Sequence, residues 1–358
     1  MIKVLMISRS TLYATPGGDT VQIEETANGL RNINVHVDIK LSNEKNICYC
    51  NYDLLHFFNV IRPNDIIGHI NNNDIPFLIS TIFVDYTEYD RNFRKGTLGF
   101  LSKFLSSDLI EYFKVIGRYV KNGERIGHYS YFFLGHRKSV KKVLKEAAYL
   151  LPNSESEYKR LLNTYGIKKE YAKIPNAINI NNFQNIHGNR NGIICVGRIE
   201  GLKNQLNLIR AVNLTDLKLV IIGNPSPNSI DYYNQCKKEA GKNINFISHL
   251  TQEELNKYYN TAKVHILPSW FETTGLSSLE AGYLGCNLVV TDKGDVREYF
   301  GNYVTYCEPQ DIKSIKDAII YAYEKENNGD FTEYVLQNYT WVMTAQKTKE
   351  AYLKVLNK

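Results

Sequence analysis

The residues VHILPSWFETTGLSSLEAGYLGCNLVVTD, 264 to 292, decide the fold. They predict a buried strand over Val264 to Leu267, a Pro-stopped loop carrying Glu272, a short helix carrying Glu280 and ended by Gly285, and a second apolar strand over Leu288 to Thr291. Two such strands with a helix between them form a parallel crossover. In sheets of this kind a ligand sits beyond the carboxyl ends of the strands, where Glu272 and the amides of Thr273, Thr274, Gly275 and Leu276 fall. Glu280 lies about two turns further down the helix, so the two carboxylates serve different parts of one elongated ligand. Hydroxyls at both ends with anionic groups between them is the layout of a nucleotide sugar.

Outward from this stretch the second half stays regular. GIICVG, LKLVII, INFI, KVHIL, NLVV and YVTY alternate with helical segments of about ten residues, the pattern of a doubly wound parallel sheet. GRIEGLKN follows the first of these strands and puts Arg198 and Lys203 at its carboxyl end, a rigid fork and a flexible point charge that suit a diphosphate. Ordinary surface cations are the plainer reading of that pair.

The first half opens with the strand Ile2 to Ser8, the loop TPGGDT and a helix over Thr20 to Leu30. Gly17 and Gly18 allow a sharp turn or a close approach to a ligand, with Asp19 or Thr20 as cap. Further strands are predicted over Asn34 to Leu41 and Asp53 to Phe58, and an apolar run follows over Ile75 to Val84. Ala147 to Pro152 reads as a strand, and Ser154 with Glu157 has capping-box spacing for the helix after it. Near the carboxyl end, Trp341, Ala345, Tyr352 and Val355 share a helix face, where Trp341 serves packing.

A length of 358 residues predicts two domains, and 43% hydrophobic with 22% charged residues is ordinary for a globular protein. The six cysteines show no C-x-x-C spacing and read as reduced thiols. No apolar run is long enough to span a bilayer, and MIKVLMIS enters a strand pattern at once, so a cytoplasmic location is expected. No D-x-D triplet or metal-ligand spacing occurs, so no metal cofactor is expected.

Charge is uneven. Residues 91 to 145 hold thirteen basic and three acidic side chains, a net +10 against +6 for the whole chain, interleaved with aromatic residues. Such a region suits an anionic membrane surface, at the inner face of the membrane, and equally a solvated helical face over an aromatic core. It holds no nucleic-acid recognition motif, so no nucleic-acid partner is expected.

The Glu-x7-Glu pair inside PSWFETTGLSSLEA, with the strand and DKGDVREYF after it, resembles the donor site of family 4 retaining glycosyltransferases. The resemblance implies the GT-B fold: two Rossmann-like doubly wound domains facing a central cleft. It implies an acceptor-side domain over 1–175, a nucleotide-sugar-binding domain over 176–337, and a terminal helix over 338–358 crossing back to the first domain. IPNAINI, Ile174 to Ile180, is similar to the family's interdomain crossing. Gly17 and Gly18 resemble the glycine loop that closes over donor phosphate, Gly223 the second domain's next strand-end turn, and Arg198 with Lys203 the family's diphosphate cations.

The resemblance further implies that Glu272 holds the donor sugar and Glu280 the ribose. Asp85 stands where the family usually has a histidine, with His128 and His136 as other candidates, and His249 replaces a common glycine beside the base. The implied activity is metal-independent retaining transfer from a nucleotide-diphosphate donor to a cell-surface glycan or lipid-linked acceptor. A nucleotide-sugar epimerase, a phosphorylase or a catalytically silent glycan-binding protein would share the fold.

Overall fold

In the computed structural model the described residues are 1–71, 73–94, 99, 102–122, 129–184, 188–226 and 228–357. The chain forms two compact units, Met1–Asn176 with Trp341–Lys358, and Ala177–Thr340.

In the first unit, strands β1 (Lys3–Ser8), β2 (His36–Leu41), β3 (Leu54–Phe58), β4 (Phe77–Ser80) and β5 (Tyr149–Leu151) form one parallel sheet in the order β2-β1-β3-β4-β5. Its helices are α1 (Gly18–Asn32), α2 (Asn64–Ile70), α3 (Thr87–Asn92), α4 (Ser107–Asn122), α5 (Ser130–Glu146) and α6 (Glu155–Tyr165). Val4 and Met6 pack on one face of the sheet with Ile23, Ala27 and Leu30 of α1, while Leu5 and Ile7 pack on the other with Ile66, Val140 and Leu161. Burial of both faces is why β1 reads as an unbroken apolar run.

Two strands are shorter than their apolar patterns. Asn34 turns back at φ 62 after α1, so β2 starts at His36. Pro76 brings no amide to the ladder, and Ile82 at φ 43 turns the chain out of the sheet, so the run from Ile75 to Val84 gives a strand of only four residues. The terminal helix of the chain, over Trp341–Leu356, completes this unit. Its Trp341, Ala345, Tyr352 and Val355 are buried, and Tyr352 joins its hydroxyl to His56 Nδ1 at 2.7 Å.

The second unit holds β6 (Ile193–Val196), β7 (Leu219–Ile222), β8 (Ile244–Ile247), β9 (Val264–Leu267), β10 (Asn287–Thr291) and β11 (Thr305–Cys307). All six are parallel, in the order β11-β10-β9-β6-β7-β8. Helices α7 (Gln205–Val212), α8 (Ile230–Glu239), α9 (Gln252–Thr261), α10 (Leu276–Tyr283), α11 (Val296–Phe300), α12 (Ile312–Glu324) and α13 (Asp330–Asn338) connect or flank them. The winding reverses between β6 and β9. A crevice therefore opens where the loops leaving those two strands part, the position at which open α/β sheets bind ligands.

Candidate functional site

The loop after β6 is shaped by backbone crowding. Gly197 has φ 156 and Gly223, at the end of β7, has φ 146; a Cβ on Gly223 would lie 2.1 Å from the Gly197 carbonyl oxygen. Two strand ends therefore press together with no room for a side chain. Beyond them Arg198 emerges with its side chain 59% exposed, one guanidinium nitrogen 3.5 Å from Glu200 Oε1. A single 3-10 turn, Gly201–Lys203, then carries Lys203 inward, and Asn204 at φ 59 ends it. Asn204 Nδ2 donates to the carbonyls of Pro268 at 3.1 Å and Pro309 at 2.6 Å, and Trp270 N donates to the Leu202 carbonyl at 2.9 Å. These bonds tie the loop after β6 to the loop after β9.

That tie brings Lys203 and Glu272 together. The ammonium is ion-paired with the Glu272 carboxylate, and Ser269 Oγ donates to the same oxygen at 2.6 Å. Glu272 is fixed from behind as well: Asp295 N donates to its carbonyl at 2.9 Å. A Cβ on Gly294, at φ 79, would lie 2.0 Å from that oxygen. A cation and a carboxylate on two neighbouring loops thus stand at the switch point, with the exposed Arg198 on the same loop as the cation. Sequence spacing gives the two residues separate roles. Their direct pairing, across 69 positions of chain, is decided by the sheet.

Past Glu272, Thr273 is partly exposed, Thr274 is buried, and Gly275 takes φ 69 to cap the N-terminus of α10, which begins at Leu276. Glu280 follows on α10 and accepts a hydrogen bond from Tyr259 of α9 at 3.2 Å. Burial pushes its carboxyl up to about 7, while bonds from Tyr259 and Gln252 draw it partly back. Glu280 is therefore poised near neutrality, apart from the Lys203–Glu272 pair. Tyr259 and Ser269 hold the candidate carboxylates Glu280 and Glu272, and neither is legible in the sequence because each becomes a partner only in three dimensions. His249 has its backbone amide held by Asn224 Oδ1 at 3.1 Å.

The candidate residues of the first unit form two groups. Gly17 is extended, at φ −158, and caps α1 by donating its amide to Thr20 Oγ1 at 3.1 Å; an added Cβ on Gly18 would meet nothing within 4 Å. Asp19, one of the two predicted caps, is held by Arg9 at 2.6 and 3.0 Å, and Arg9 also reaches Thr11 and Thr15. Asp85 accepts from Thr87 N at 2.9 Å and lines a cavity of about 380 Å³ with His136, Arg91, Arg94 and Asp108. His136 is buried, its Nδ1 3.1 Å from the Tyr131 hydroxyl. His128 lies outside the described residues. The strained Ile82 just upstream is bracketed by buried Glu157, which accepts from Thr81 Oγ1, from Phe83 N at 2.8 Å and from Asn153 N at 2.8 Å. Glu157 was expected to close a capping box with Ser154; Ser154 does cap α6, but the carboxylate instead braces the loop carrying Asp85.

Among the described residues no three His, Cys, Asp or Glu side chains come together as metal ligands, and no helix is long and apolar enough to cross a membrane.

Two parallel doubly wound sheets, the second with a charged switch point, are the architecture of the GT-B fold class. Across its whole length the chain superposes on sucrose-phosphate synthase from Thermosynechococcus elongatus with TM-score 0.76 and 15% identity, covering 100% of both chains. On the Anabaena protein HepE in complex with UDP-glucose the TM-score is 0.73 at 13% identity, covering 99% of this chain and 100% of that one. Residues 177–336 match the model of the family described as glycosyl transferases group 1. A D-inositol 3-phosphate glycosyltransferase of Pseudarthrobacter chlorophenolicus is 26% identical over 238 residues, 59% of this chain and 57% of the relative. The match thus spans little more than half the length of that relative.

Proposed function

We propose that the chain is a metal-independent retaining glycosyltransferase that moves a sugar from a nucleotide-diphosphate donor to a cell-surface glycan or lipid-linked acceptor. The observation that carries this reading is the Lys203–Glu272 pair at the switch point of the second sheet, with Arg198 exposed beside it. An incoming diphosphate competes for the Lys203 ammonium and draws in Arg198. That exchange frees the Glu272 carboxylate to accept hydrogen bonds from the donor sugar. Arg198, Lys203 and the amides of Thr273 to Leu276 then stabilise the charge that grows on the leaving diphosphate, at about 3 kcal/mol for each well-placed donor. Glu280 takes the ribose hydroxyls.

Retention follows from front-face attack, with the donor's phosphate oxygen taking the acceptor proton. Of the first unit we assign Asp85 to catalysis, and Gly17 and Gly18 to donor binding. The bound UDP-glucose of HepE supports a nucleotide sugar as donor class.

A thermal-shift and hydrolysis screen against nucleotide sugars, in buffer without metal and again with EDTA, tests the reading. One donor should stabilise the wild type, persist in EDTA and lose at least tenfold in affinity with Glu280→Ala. Loss of the shift in EDTA removes metal independence; a free epimerised sugar nucleotide without acceptor removes transfer; no binding by any donor removes the whole reading.

A further inference from the structure

The chain leaving β6 runs on extended past Gly197. Ile199 is fully buried and pairs with the loop after β7: its amide donates to the Asn224 carbonyl at 2.9 Å, and its carbonyl accepts from Ser226 N at 3.3 Å. Glu200 is extended too, at φ −158 and ψ 157. Alternate residues of an extended chain share a face, so Arg198 and Glu200 stand together on the side away from Ile199. Buried Gln205 fixes the backbone of both. Its Nε2 donates to the Arg198 carbonyl at 2.8 Å, and its Oε1 accepts from Glu200 N at 3.4 Å.

The two side chains differ in freedom. Glu200 is 17% exposed, and its Oε2 accepts from Ser226 Oγ at 2.5 Å, which pins the carboxylate to the loop after β7. Arg198 is 59% exposed, with one guanidinium nitrogen 3.5 Å from Glu200 Oε1. The carboxylate is therefore the fixed member and the guanidinium the movable one. With the Lys203–Glu272 pair on the same loop, each of the two cations already faces a carboxylate. A phosphate that takes Arg198 must displace Glu200, and it then lies beside a like charge that cannot follow the guanidinium away.

We propose that Glu200 is a positioning residue that acts through Arg198: it holds the guanidinium before a ligand arrives, yields it to the diphosphate of a nucleotide ligand, and reclaims it to hasten release of the nucleoside diphosphate. This inference rests on the donor-site reading above and adds to it a residue that weakens binding. Removal of a residue that merely supports the site loosens the ligand; removal of the Glu200 charge tightens it.

Calorimetric titration of the full chain with UDP, ADP and GDP, with dissociation rates for whichever binds, tests it. Glu200→Gln keeps an acceptor for Ser226 Oγ and removes the charge. It should bind the nucleoside diphosphate about fivefold tighter and release it about fivefold more slowly, with an unchanged melt and a gain that shrinks at high salt. In an Arg198→Gln background the same substitution should gain less than about twofold. Ser226→Ala, which unpins the carboxylate, should tighten binding by a smaller factor, and it carries the decision if Glu200→Gln disturbs the melt. Unchanged or weaker binding by Glu200→Gln overturns the proposal, as does a gain of equal size in the Arg198→Gln background. If the wild type and every variant bind none of the three, the donor-site reading fails and takes this inference with it.

Discussion

Glu280 is a carboxyl held half-buried against a tyrosine, and its titration has a definite sign. A carboxyl raised from 4.5 to about 7 on folding binds more protons in the folded chain than in the unfolded one. Its contribution is therefore complete below about pH 4.5 and is lost as pH rises to about 7, by up to roughly 3 kcal/mol. Glu280→Gln removes that dependence. Denaturant unfolding between pH 5 and 8 should show the wild type losing stability relative to the variant as pH rises; parallel profiles would show that burial does not raise the carboxyl. Because ribose hydroxyls favour the ionised form, nucleoside diphosphate affinity should rise with pH through 7 in the wild type and stay flat in Glu280→Gln. Glu280 was legible as a candidate site residue from the motif. Its poise near neutrality was not, since Tyr259 reaches it from α9, 21 positions away in the chain.

At the scale of elements, the glycines named by the sequence separate into two kinds. Gly223 is required by packing: it combines φ 146 with a virtual Cβ 2.1 Å from a backbone oxygen, and Gly223→Ala should cost more than about 3 kcal/mol in thermal or urea unfolding. Gly18 opens α1 with free space around its virtual Cβ, and Gly18→Ala should stabilise by about 0.5 kcal/mol or be neutral. If donor turnover nonetheless falls in Gly18→Ala, the glycine serves ligand approach; if turnover is unchanged, the loop after β1 is only a turn. Strands β6 to β11 were legible because each is short, apolar and bounded by turn residues. The ends of β2 and β4 were not, because positive φ at Asn34 and Ile82 is set by the surrounding fold.

Over the whole molecule, the carboxyl-terminal helix is a structural part of the first unit. An added Cβ on Gly29 of α1 would lie 2.8 Å from Ala345 Cβ; Thr344 Oγ1 donates to the Pro175 carbonyl at 2.8 Å and Lys349 Nζ to that of Ile33 at 2.7 Å. Truncation after Thr340 should therefore unfold the first unit while the second retains its own transition and its response to nucleoside diphosphate, as read by calorimetry. Loss of both transitions together would contradict two separately cored units. The milder Tyr352→Phe leaves buried His56 short of one partner and should cost about 1–3 kcal/mol.

What the sequence by itself determined is what neighbouring residues determine: the alternation of apolar runs with helical segments, the parallel class of sheet, and the residue types at the ends of the second unit's strands. Periodicity and turn chemistry act over a few residues, so they survive without the fold. Tertiary structure alone decided which side chains share a charge. The Lys203–Glu272 pair, the Tyr259–Glu280 bond and the Glu157 brace each join residues far apart in the chain, and burial and Coulomb energy depend on distance in space.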